Sequence, residues 1–230
     1  MRLVAWNANC GNRKRRSFAQ VLDLVAPLFP DVLVLSEGPA DASTALWAWP
    51  EESPAKLAVW ARPGFTVDVA RCDTSIPQSA LLRVRGSVEF SLVAAWPVEK
   101  PLSYAAILRR AVEEYLPYAP AERTILAGDL NSSTRVVAQR ASHPILVSTL
   151  YDRGLTSVYH HHEGVAHGDE RSGTFLRGAK EFCIDYAFVS SDLLDAASIC
   201  IPRNRQWTSV SDHLPLIIDI PEAAFRRTGP

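Results

Sequence analysis

The stretch Leu126-Ala127-Gly128-Asp129-Leu130-Asn131-Ser132-Ser133 carries a hydrophobic run directly into a carboxylate, an amide and two hydroxyls. Residues Thr124–Ala127 predict a buried strand, and Gly128 permits a sharp turn of the backbone at its end. We therefore expect Asp129 and Asn131 to emerge together at the carboxyl end of that strand. Since Gly, Asp, Asn and Ser are common turn residues, this stretch taken alone is better explained as a polar turn after a core strand.

The composition favours one globular domain over residues 1–230. The 230 residues are 47% hydrophobic, which is enough to bury a sizeable core. Strand-like runs are spread along the whole chain, and no linker, repeat or charge block marks a domain boundary. The formal net charge is −1, so the sequence lacks the overall positive field of many nucleic-acid binders, and any anion binding must be local.

The sequence shows neither a secretory signal nor a membrane span. The amino terminus becomes polar by Asn7, and no apolar run approaches the roughly 20 residues that span a bilayer. The four cysteines are widely spaced and predict buried free thiols at Cys10, Cys72, Cys183 and Cys200. We expect a soluble, cytoplasmic protein with no membrane partner and no obligate protein partner.

Polar side chains that suit a metal or a phosphate recur where other predicted strands begin or end. Turn chemistry explains any one of them, but eight together indicate a shared site: Asn7, Asn9, Glu37, Asp129, Asn131, Asp185, Asp212 and His213. Carboxylate and amide oxygens are preferred ligands of Mg²⁺ and Mn²⁺, and a histidine beside an acid adds a group for proton transfer or charge stabilisation. Phosphoester hydrolysis needs this combination.

Two other segments are candidates for binding an anionic substrate. Four cations, Arg13-Lys14-Arg15-Arg16, precede a helix that Ser17 and Gln20 are spaced to cap, which makes Arg13, Arg15 and Arg16 candidates for phosphate binding. A solvated basic loop explains them at least as well. A histidine-rich stretch, His160–His162 with His167, is predicted to be a loop that suits a metal or a phosphate, and His160 is its candidate substrate contact. The stretch lacks cysteine partners and helical spacing, so it does not by itself predict a zinc site. Simple loop decoration is the default explanation there.

The hydrophobic periodicity predicts further elements. Helices are expected over Ser103–Leu116 and Pro144–Arg153, because their apolar residues recur at helical spacing and Pro117 and Gly154 can end them. The runs separated by Pro and Gly predict an antiparallel meander of four strands, Leu57–Arg62, Phe65–Arg71, Ala80–Val84 and Val88–Trp96.

Five short motifs resemble, in the correct order, those of the endonuclease/exonuclease/phosphatase superfamily, with its exonuclease III and deoxyribonuclease-I-like fold. They are Trp6-Asn7-Ala8-Asn9, Leu35-Ser36-Glu37, Gly128-Asp129-Leu130-Asn131-Ser132, Ile184-Asp185-Tyr186 and Ser211-Asp212-His213-Leu214-Pro215-Leu216. Each is weak alone, but five in register are highly specific. The resemblance is to the compact bacterial members, and it implies a four-layer α/β sandwich of two packed mixed β-sheets flanked by helices, with the active site at one rim.

The resemblance also implies how a Mg²⁺ or Mn²⁺ cofactor is bound. Glu37 corresponds to the principal metal ligand, Asn7 lies beside it, and Asp212 is a further acid of the metal site. We expect Asn9 to contact the substrate. The number of metal ions stays open.

The hydrolytic roles implied by the resemblance fall on four other residues. Asp129 orients or deprotonates the attacking water, and Asn131 holds the phosphate or that water. His213 contacts the scissile phosphate, and Asp185 orients His213.

The chain departs from the family pattern at the end of the central strand. Many relatives carry His or Tyr there, thought to assist the leaving group, whereas the strand Phe90–Trp96 ends in Trp96-Pro97. Because indole is not a general acid, another group must act, and the candidates are metal-bound water, Tyr104 and one of His160–His162.

From the residues and the resemblance we expect a divalent-metal-dependent phosphodiesterase that acts on nucleic acid, that is, a nuclease. The Arg13–Arg16 cluster and exposed tryptophans would hold the polynucleotide. Two alternatives stay open. One is a phosphatase or phosphodiesterase of a small phosphorylated lipid, inositol or nucleotide, and the other is a catalytically silent binding module on the same fold.

Overall fold

The computed structural model describes residues 1–10, 16–45, 47–49, 55–98 and 103–226. Within these ranges the strands are β1 Arg2–Asn7, β2 Val32–Gly38, β3 Trp47–Trp49, β4 Lys56–Ala61, β5 Thr66–Arg71, β6 Ser79–Arg85, β7 Glu89–Ala95, β8 Thr124–Asp129, β9 Leu155–Ser157, β10 Phe175–Arg177, β11 Lys180–Phe182, β12 Asp185–Ser190, β13 Ser198–Cys200 and β14 Leu216–Asp219. The helices are α1 Phe18–Val25, α2 Tyr104–Tyr115, α3 Ser142–Tyr151, α4 Val158–Glu163, α5 Ser191–Leu194 and α6 Arg205–Thr208.

Most strands belong to two six-stranded sheets. The first has the order β13-β14-β1-β2-β4-β3, and the second has the order β5-β6-β7-β8-β12-β9. Strands β1 and β2 are parallel in the first sheet, and β7 and β8 are parallel in the second, while the other pairs are antiparallel. Both sheets are therefore mixed, as the sequence resemblance implies. Strands β10 and β11 form a separate hairpin.

Three hydrophobic clusters show that the sheets pack face to face with helices outside. Along β2, Val32 and Val34 join a core that also receives Ile125 and Ala127 of β8, so this core lies between the sheets. A second cluster joins the outer side of β8 to α2 and α3, and a third joins the outer side of β2 to α1. Strands covered on both faces read as continuous apolar runs. The predicted four-layer α/β sandwich is thus confirmed.

The predicted four-strand meander is only partly correct. Strands β5, β6 and β7 form an antiparallel meander in the second sheet, but β4 pairs with β2 in the first sheet. The chain crosses between the sheets at the turn around Gly64, whose φ is +98°. Alternation along a strand predicts which faces are buried, not which neighbour the strand pairs with.

The helices begin and end close to the predicted residues, with one correction. Helix α1 has the predicted capping box, in which the Gln20 N–H donates to Ser17 Oγ at 3.2 Å. His160–His162 lie in the short helix α4, not in a loop, and left-handed Gly164 ends that helix. None of the helices in the described ranges has both the length and the apolar character needed to cross a membrane.

The four cysteines are free, but only two of them are buried as predicted. Cys10 and Cys183 are buried, whereas Cys72 and Cys200 are exposed. The exposed pair lies at sheet edges, because Cys72 follows edge strand β5 and Cys200 ends edge strand β13. An apolar run on an edge strand has one side open to solvent, which the sequence pattern does not reveal.

Gly128 allows β8 to reach the rim of the second sheet. Its φ is +143°, and a Cβ added to it would lie 2.0 Å from the backbone oxygen of Ala95. Since Ala95 ends the neighbouring strand β7, no side chain fits between the two backbones. The glycine therefore places Asp129, the next residue, at the end of the strand.

We expect Gly128→Ala to lower the free energy of unfolding by about 3 kcal/mol or more, because it adds both backbone strain and a steric overlap. Gly154→Ala is the matched control, since Gly154 also has a positive φ of +75° but a Cβ added to it would meet nothing within 4 Å. Urea unfolding of both variants measures the difference. Equal destabilisation of the two variants would contradict the proposed overlap.

Candidate active site

The eight polar residues singled out at strand ends meet at one rim of the sandwich. The first sheet contributes residues from the ends of β1 and β2 and from the segment before β14, and the second contributes residues from the ends of β8 and β12. Hydrogen bonds and strand pairing connect all eight: Asn7, Asn9, Glu37, Asp129, Asn131, Asp185, Asp212 and His213.

Asn7 is the link between the two sheets at this rim. Its fully buried Nδ2 donates to Asp129 Oδ2 at 2.8 Å and to Glu37 Oε1 at 3.1 Å. Its Oδ1 accepts the Asn9 N–H at 2.9 Å, and Asn9 Nδ2 donates to Asp212 Oδ1 at 2.7 Å. One amide thus fixes the positions of two carboxylates on different sheets and, through Asn9, of a third.

Asp129 and Asp185 lie directly opposite each other on the antiparallel strands β8 and β12. Both are buried, and His213 Nδ1 lies 2.9 Å from Asp185 Oδ2. With one ligand-type atom each, these three residues lie within 4.8 Å of one another. The contact to Asp185 orients the imidazole ring and leaves Nε2 on its other side.

The electrostatics of this trio follow from burial and proximity. Burial and, to a smaller extent, the neighbouring charge of Asp185 raise the pKa of Asp129 to about 7. Burial opposes a charge on His213, but the carboxylates of Asp185, Asp129 and Asp212 outweigh it and raise its pKa to about 9. At neutral pH the rim therefore holds a protonated histidine next to a carboxyl group that titrates near 7.

Three of the eight residues have left-handed backbone conformations. The φ angles are +50° at Asn9, +44° at Glu37 and +49° at Asn131. Such angles are uncommon for residues other than glycine and cluster at functional sites. At Asn131 the conformation lets its N–H donate to Asp129 Oδ1 at 2.9 Å, so the backbone turn and the carboxylate hold each other in place.

The donors at this rim fit a divalent cation that prefers oxygen ligands. Asp185 Oδ1 is buried and has no hydrogen-bond partner among the described residues. The carboxylates of half-buried Glu37 and of Asp129 both face Asn7 Nδ2, while the Asn7 amide oxygen accepts the Asn9 N–H. Carboxylate oxygens suit Mg²⁺ or Mn²⁺ better than softer metals.

Two of the predicted substrate contacts, Arg16 and His160, lie outside the rim and already have partners within the protein. Arg16 donates to the backbone oxygens of Val210 at 2.9 Å and of Ala8 at 3.5 Å, so it braces the loops near β1. Arg13 and Arg15 lie outside the described residues. His160 is buried, and its two ring nitrogens face Ser157 and Glu170.

A cavity of about 520 Å³ and another of about 400 Å³ open beside the β10–β11 hairpin. The second includes Asn131, so it adjoins the rim. Its lining combines the aromatic rings of Tyr104, Phe175 and Phe182 with the cations Arg135, Arg177 and Lys180. The Phe175 ring also contacts His213, with 4.8 Å between ring centroids. Aromatic faces and cations are the groups that bind bases and phosphates.

Trp96, where many relatives are expected to carry His or Tyr, is part of the core between the sheets. Its side chain is 7% exposed. It contributes packing and not proton transfer, as the sequence indicates. Among the candidates to replace it, Tyr104 lines the same cavity as Asn131.

Sequence reasoning missed several hydroxyl groups that position the site. Ser211 Oγ donates to the Asn7 backbone oxygen at 2.8 Å and accepts the His213 N–H at 3.0 Å. Ser36 Oγ accepts the Asp129 N–H at 3.3 Å, and Thr174 Oγ1 accepts the Asp185 N–H at 3.0 Å. The two serines lie within the recognised motifs and were detectable there, whereas nothing in the sequence marks Thr174.

Comparison with known families gives one extended match. The profile of the Endonuclease/Exonuclease/phosphatase family matches residues 4–213, which include all eight residues of the rim. No curated protein matches the sequence significantly.

Several solved structures share the fold. The endonuclease domain of TRAS1, a telomere-specific non-LTR retrotransposon, aligns with a TM-score of 0.69 and 18% identity over 95% of this chain and 97% of that one. AP endonuclease LMAP from Leishmania major aligns with a TM-score of 0.68 and 17% identity over 94% of this chain and 86% of that one. The 3' phosphatase NExo from Neisseria, bound to a product DNA hairpin, aligns with a TM-score of 0.66 and 18% identity over 96% of this chain and 99% of that one. At 17–18% sequence identity, the structural similarity shows that this chain shares their fold and nothing beyond the fold.

The protonated His213 predicts a specific dependence of stability on pH. Its folded pKa of about 9 lies above the ordinary value of 6.5, so its contribution is complete below pH 6.5 and is lost as the pH rises through 9. In EDTA, we expect the free energy of unfolding to fall between pH 7 and 9 by up to about 1.4 kcal/mol per pH unit. His213→Gln should flatten this slope, and an unchanged slope in that variant would refute the assignment.

Proposed function

The chain belongs to the endonuclease/exonuclease/phosphatase family, and on that basis we propose that it is a divalent-metal-dependent phosphodiesterase that cleaves nucleic acid. The observation that carries the proposal is the rim where Asn7 joins Glu37 to Asp129 while Asp185 holds His213. This set combines metal ligands, a base for water and a cation for the phosphate.

Glu37 would hold Mg²⁺ or Mn²⁺, and Asn7 would join it as a ligand once its amide oxygen turns from the Asn9 N–H towards the ion. Asp212 completes the acidic surroundings through Asn9. When bound, the ion would neutralise the charge of the phosphate and polarise its oxygens. The left-handed φ of +44° at Glu37 supports this role, because it falls where the pairing of β2 with β4 shifts register, between Leu35 and Gly38, and such strained residues cluster at functional sites.

Asp129 is the group that orients or deprotonates the attacking water. Its pKa of about 7 suits a general base near neutral pH. The Asn131 backbone N–H donates to the same carboxylate, and its side-chain Nδ2 donates to the Pro97 backbone oxygen at 3.3 Å. The second hydrogen and the oxygen of that amide would then bind the water or a phosphate oxygen. Water and phosphate are then held from adjoining positions on one turn.

His213 donates to the scissile phosphate from Nε2. Asp185 accepts from Nδ1 at 2.9 Å, which keeps the ring protonated and fixes its direction. A buried cation aimed at the phosphate stabilises the negative charge that develops during attack. For the leaving group, Tyr104 is the proton donor that its position in the Asn131 cavity favours.

Nucleic acid is the substrate class that the cavity beside the rim favours. A polymer extends beyond the reacting phosphate, and the cavity supplies three cations and three aromatic rings next to Asn131. The similar structures of an AP endonuclease and of a 3' phosphatase with a DNA hairpin also favour this class. The 3' phosphatase keeps hydrolysis of a small phosphomonoester as the second candidate.

We expect Asp129→Asn to lower kcat/KM on phosphoesters by about 10²- to 10⁴-fold while the fold persists, because it removes the base. The assay is a panel of single- and double-stranded DNA and RNA, nucleotides and phosphomonoesters, each with Mg²⁺, Mn²⁺ or EDTA. Asp152→Asn changes an exposed acid just after α3 and should leave the rate unchanged.

The outcomes of this panel separate the hypotheses. Cleavage of polynucleotides that EDTA abolishes supports the nuclease, and turnover of monoesters alone supports the phosphatase. Full activity of Asp129→Asn would overturn the mechanism. No turnover of any phosphoester by the parent protein would favour a binding module on this fold.

Reversal of two cavity charges tests the substrate class separately. Arg177→Glu with Lys180→Glu, both exposed on the β10–β11 hairpin, should raise KM for an oligonucleotide about 10-fold or more and weaken the salt dependence of KM. Turnover of bis-p-nitrophenyl phosphate should not change, because that substrate does not extend along the cavity. Arg153→Glu, at an exposed residue after α3, is the control. Equal effects on both substrates would argue against polymer binding here.

A further inference from the structure

A second cluster of potential metal ligands lies outside the eight-residue rim. His160, His167 and Glu170 each bring one nitrogen or oxygen within 4.8 Å of the others, and within the described residues only one other group, the trio at the rim, does the same. His160 lies on α4, and the other two lie in the loop that follows. Gly164 and Gly168, with φ of +62° and +108°, turn that loop back over the helix.

The two histidines are oriented through their second nitrogens. His160 Nδ1 lies 2.8 Å from Ser157 Oγ, which directs Nε2 towards Glu170. His167 Nδ1 lies 3.0 Å from His143 Nε2, which leaves Nε2 of His167 as its remaining ligand atom. Histidines that bind metals are usually held in this way by a contact at the other ring nitrogen.

Glu170 has the features of a carboxylate that needs a cation. Its side chain is 0% exposed, and Oε2 has no hydrogen-bond partner among the described residues. Oε1 accepts the Gly168 N–H at 2.9 Å and lies 3.2 Å from His160 Nε2. A buried carboxylate is stable when it is paired or coordinates a metal.

The cluster places the ring nitrogens of His160 and His167 beside an incompletely satisfied carboxylate. A neutral imidazole and a carboxylate are both forms that bind a metal ion.

The spacing of the donors fits four-coordinate zinc. Bonds of about 2.0–2.2 Å in a tetrahedron place ligand atoms roughly 3.3–3.6 Å apart. His160 Nε2 and Glu170 Oε1 are 3.2 Å apart, and one nitrogen of His167 lies within 4.8 Å of the ligand atoms of both. The rings of His160 and His167 stack with 3.5 Å between centroids, so one ring must turn out of the stack before both nitrogen lone pairs point at one ion. His167 is only half-buried, which gives an ion a path to the site.

We propose that His160, His167 and Glu170 bind a Zn²⁺ ion at a structural site distinct from the rim. Two imidazoles and one carboxylate favour Zn²⁺ over Mg²⁺, whereas the oxygen donors of the rim favour Mg²⁺. The site is linked through His143 to the turn that carries Asp129 and Asn131. His143 contacts His167 through Nε2, and its Nδ1 lies 2.9 Å from Oγ of Ser132, the residue after Asn131. His160 is then a metal ligand and not the substrate contact that the sequence suggests.

The test is a Zn²⁺ titration of the metal-free protein in excess Mg²⁺, which would fill the oxygen-rich rim under the proposed function. The parent should bind one Zn²⁺, and Zn²⁺ at a hundred times its Kd should raise Tm by about 5–10 °C. Glu170→Gln should weaken binding more than about 100-fold, and Ser157→Ala, which removes only the contact to His160, about 10- to 100-fold. His161→Gln changes the adjacent exposed histidine of α4 and should bind as the parent does.

Several results would overturn the proposal. One is a parent protein that neither binds Zn²⁺ nor gains stability from it. Another is an unchanged affinity for Zn²⁺ in Glu170→Gln. If circular dichroism shows that Glu170→Gln does not fold, an unchanged affinity for Zn²⁺ in Ser157→Ala takes its place. A third is loss of Zn²⁺ binding in Glu37→Gln but not in Glu170→Gln, which would locate the ion at the rim. Since none of these readouts is hydrolysis, they stand apart from the test of the nuclease.

Discussion

Two carboxylates, Asp129 and Asp185, are buried opposite each other on neighbouring strands of one sheet, and the other groups of the rim are arranged around them. Two such charges cannot be buried unless other groups compensate them. The compensation comes from the other sheet, where Asn7 donates to Asp129 and His213 pairs with Asp185. The same interactions therefore join the two sheets at the rim and assemble the site that we propose for hydrolysis.

Several features that cost stability are concentrated at this rim. Three residues other than glycine have left-handed backbones there, and Asp185 Oδ1 has no partner among the described residues. Hydrophobic packing on both faces of each sheet offsets such costs. A cation at the rim would offset part of the electrostatic cost by pairing with the carboxylates. The arrangement is consistent with a site kept for chemistry at some expense of stability.

The sequence predicts much of this arrangement because the signals are local. An apolar run followed by Gly128-Asp129 marks a strand that ends in an acid, and the same pattern finds Glu37. His213 is found because it directly precedes an apolar run. It does not reveal that β4 pairs with β2 in the other sheet, since pairing is a long-range choice. Nor does it reveal Thr174 or the contact of His160 with Glu170, which arise only when distant loops meet.

Anomalous diffraction from crystals soaked in Mn²⁺ tests most directly whether this rim is a metal-dependent phosphoester site. We predict a Mn²⁺ peak about 2.1 Å from the Glu37 carboxylate and beside Asn7, with the peak lost in crystals of Glu37→Gln. The prediction would be contradicted by a rim without Mn²⁺ at concentrations that support hydrolysis. It would equally be contradicted by Mn²⁺ that binds there without contacting Glu37.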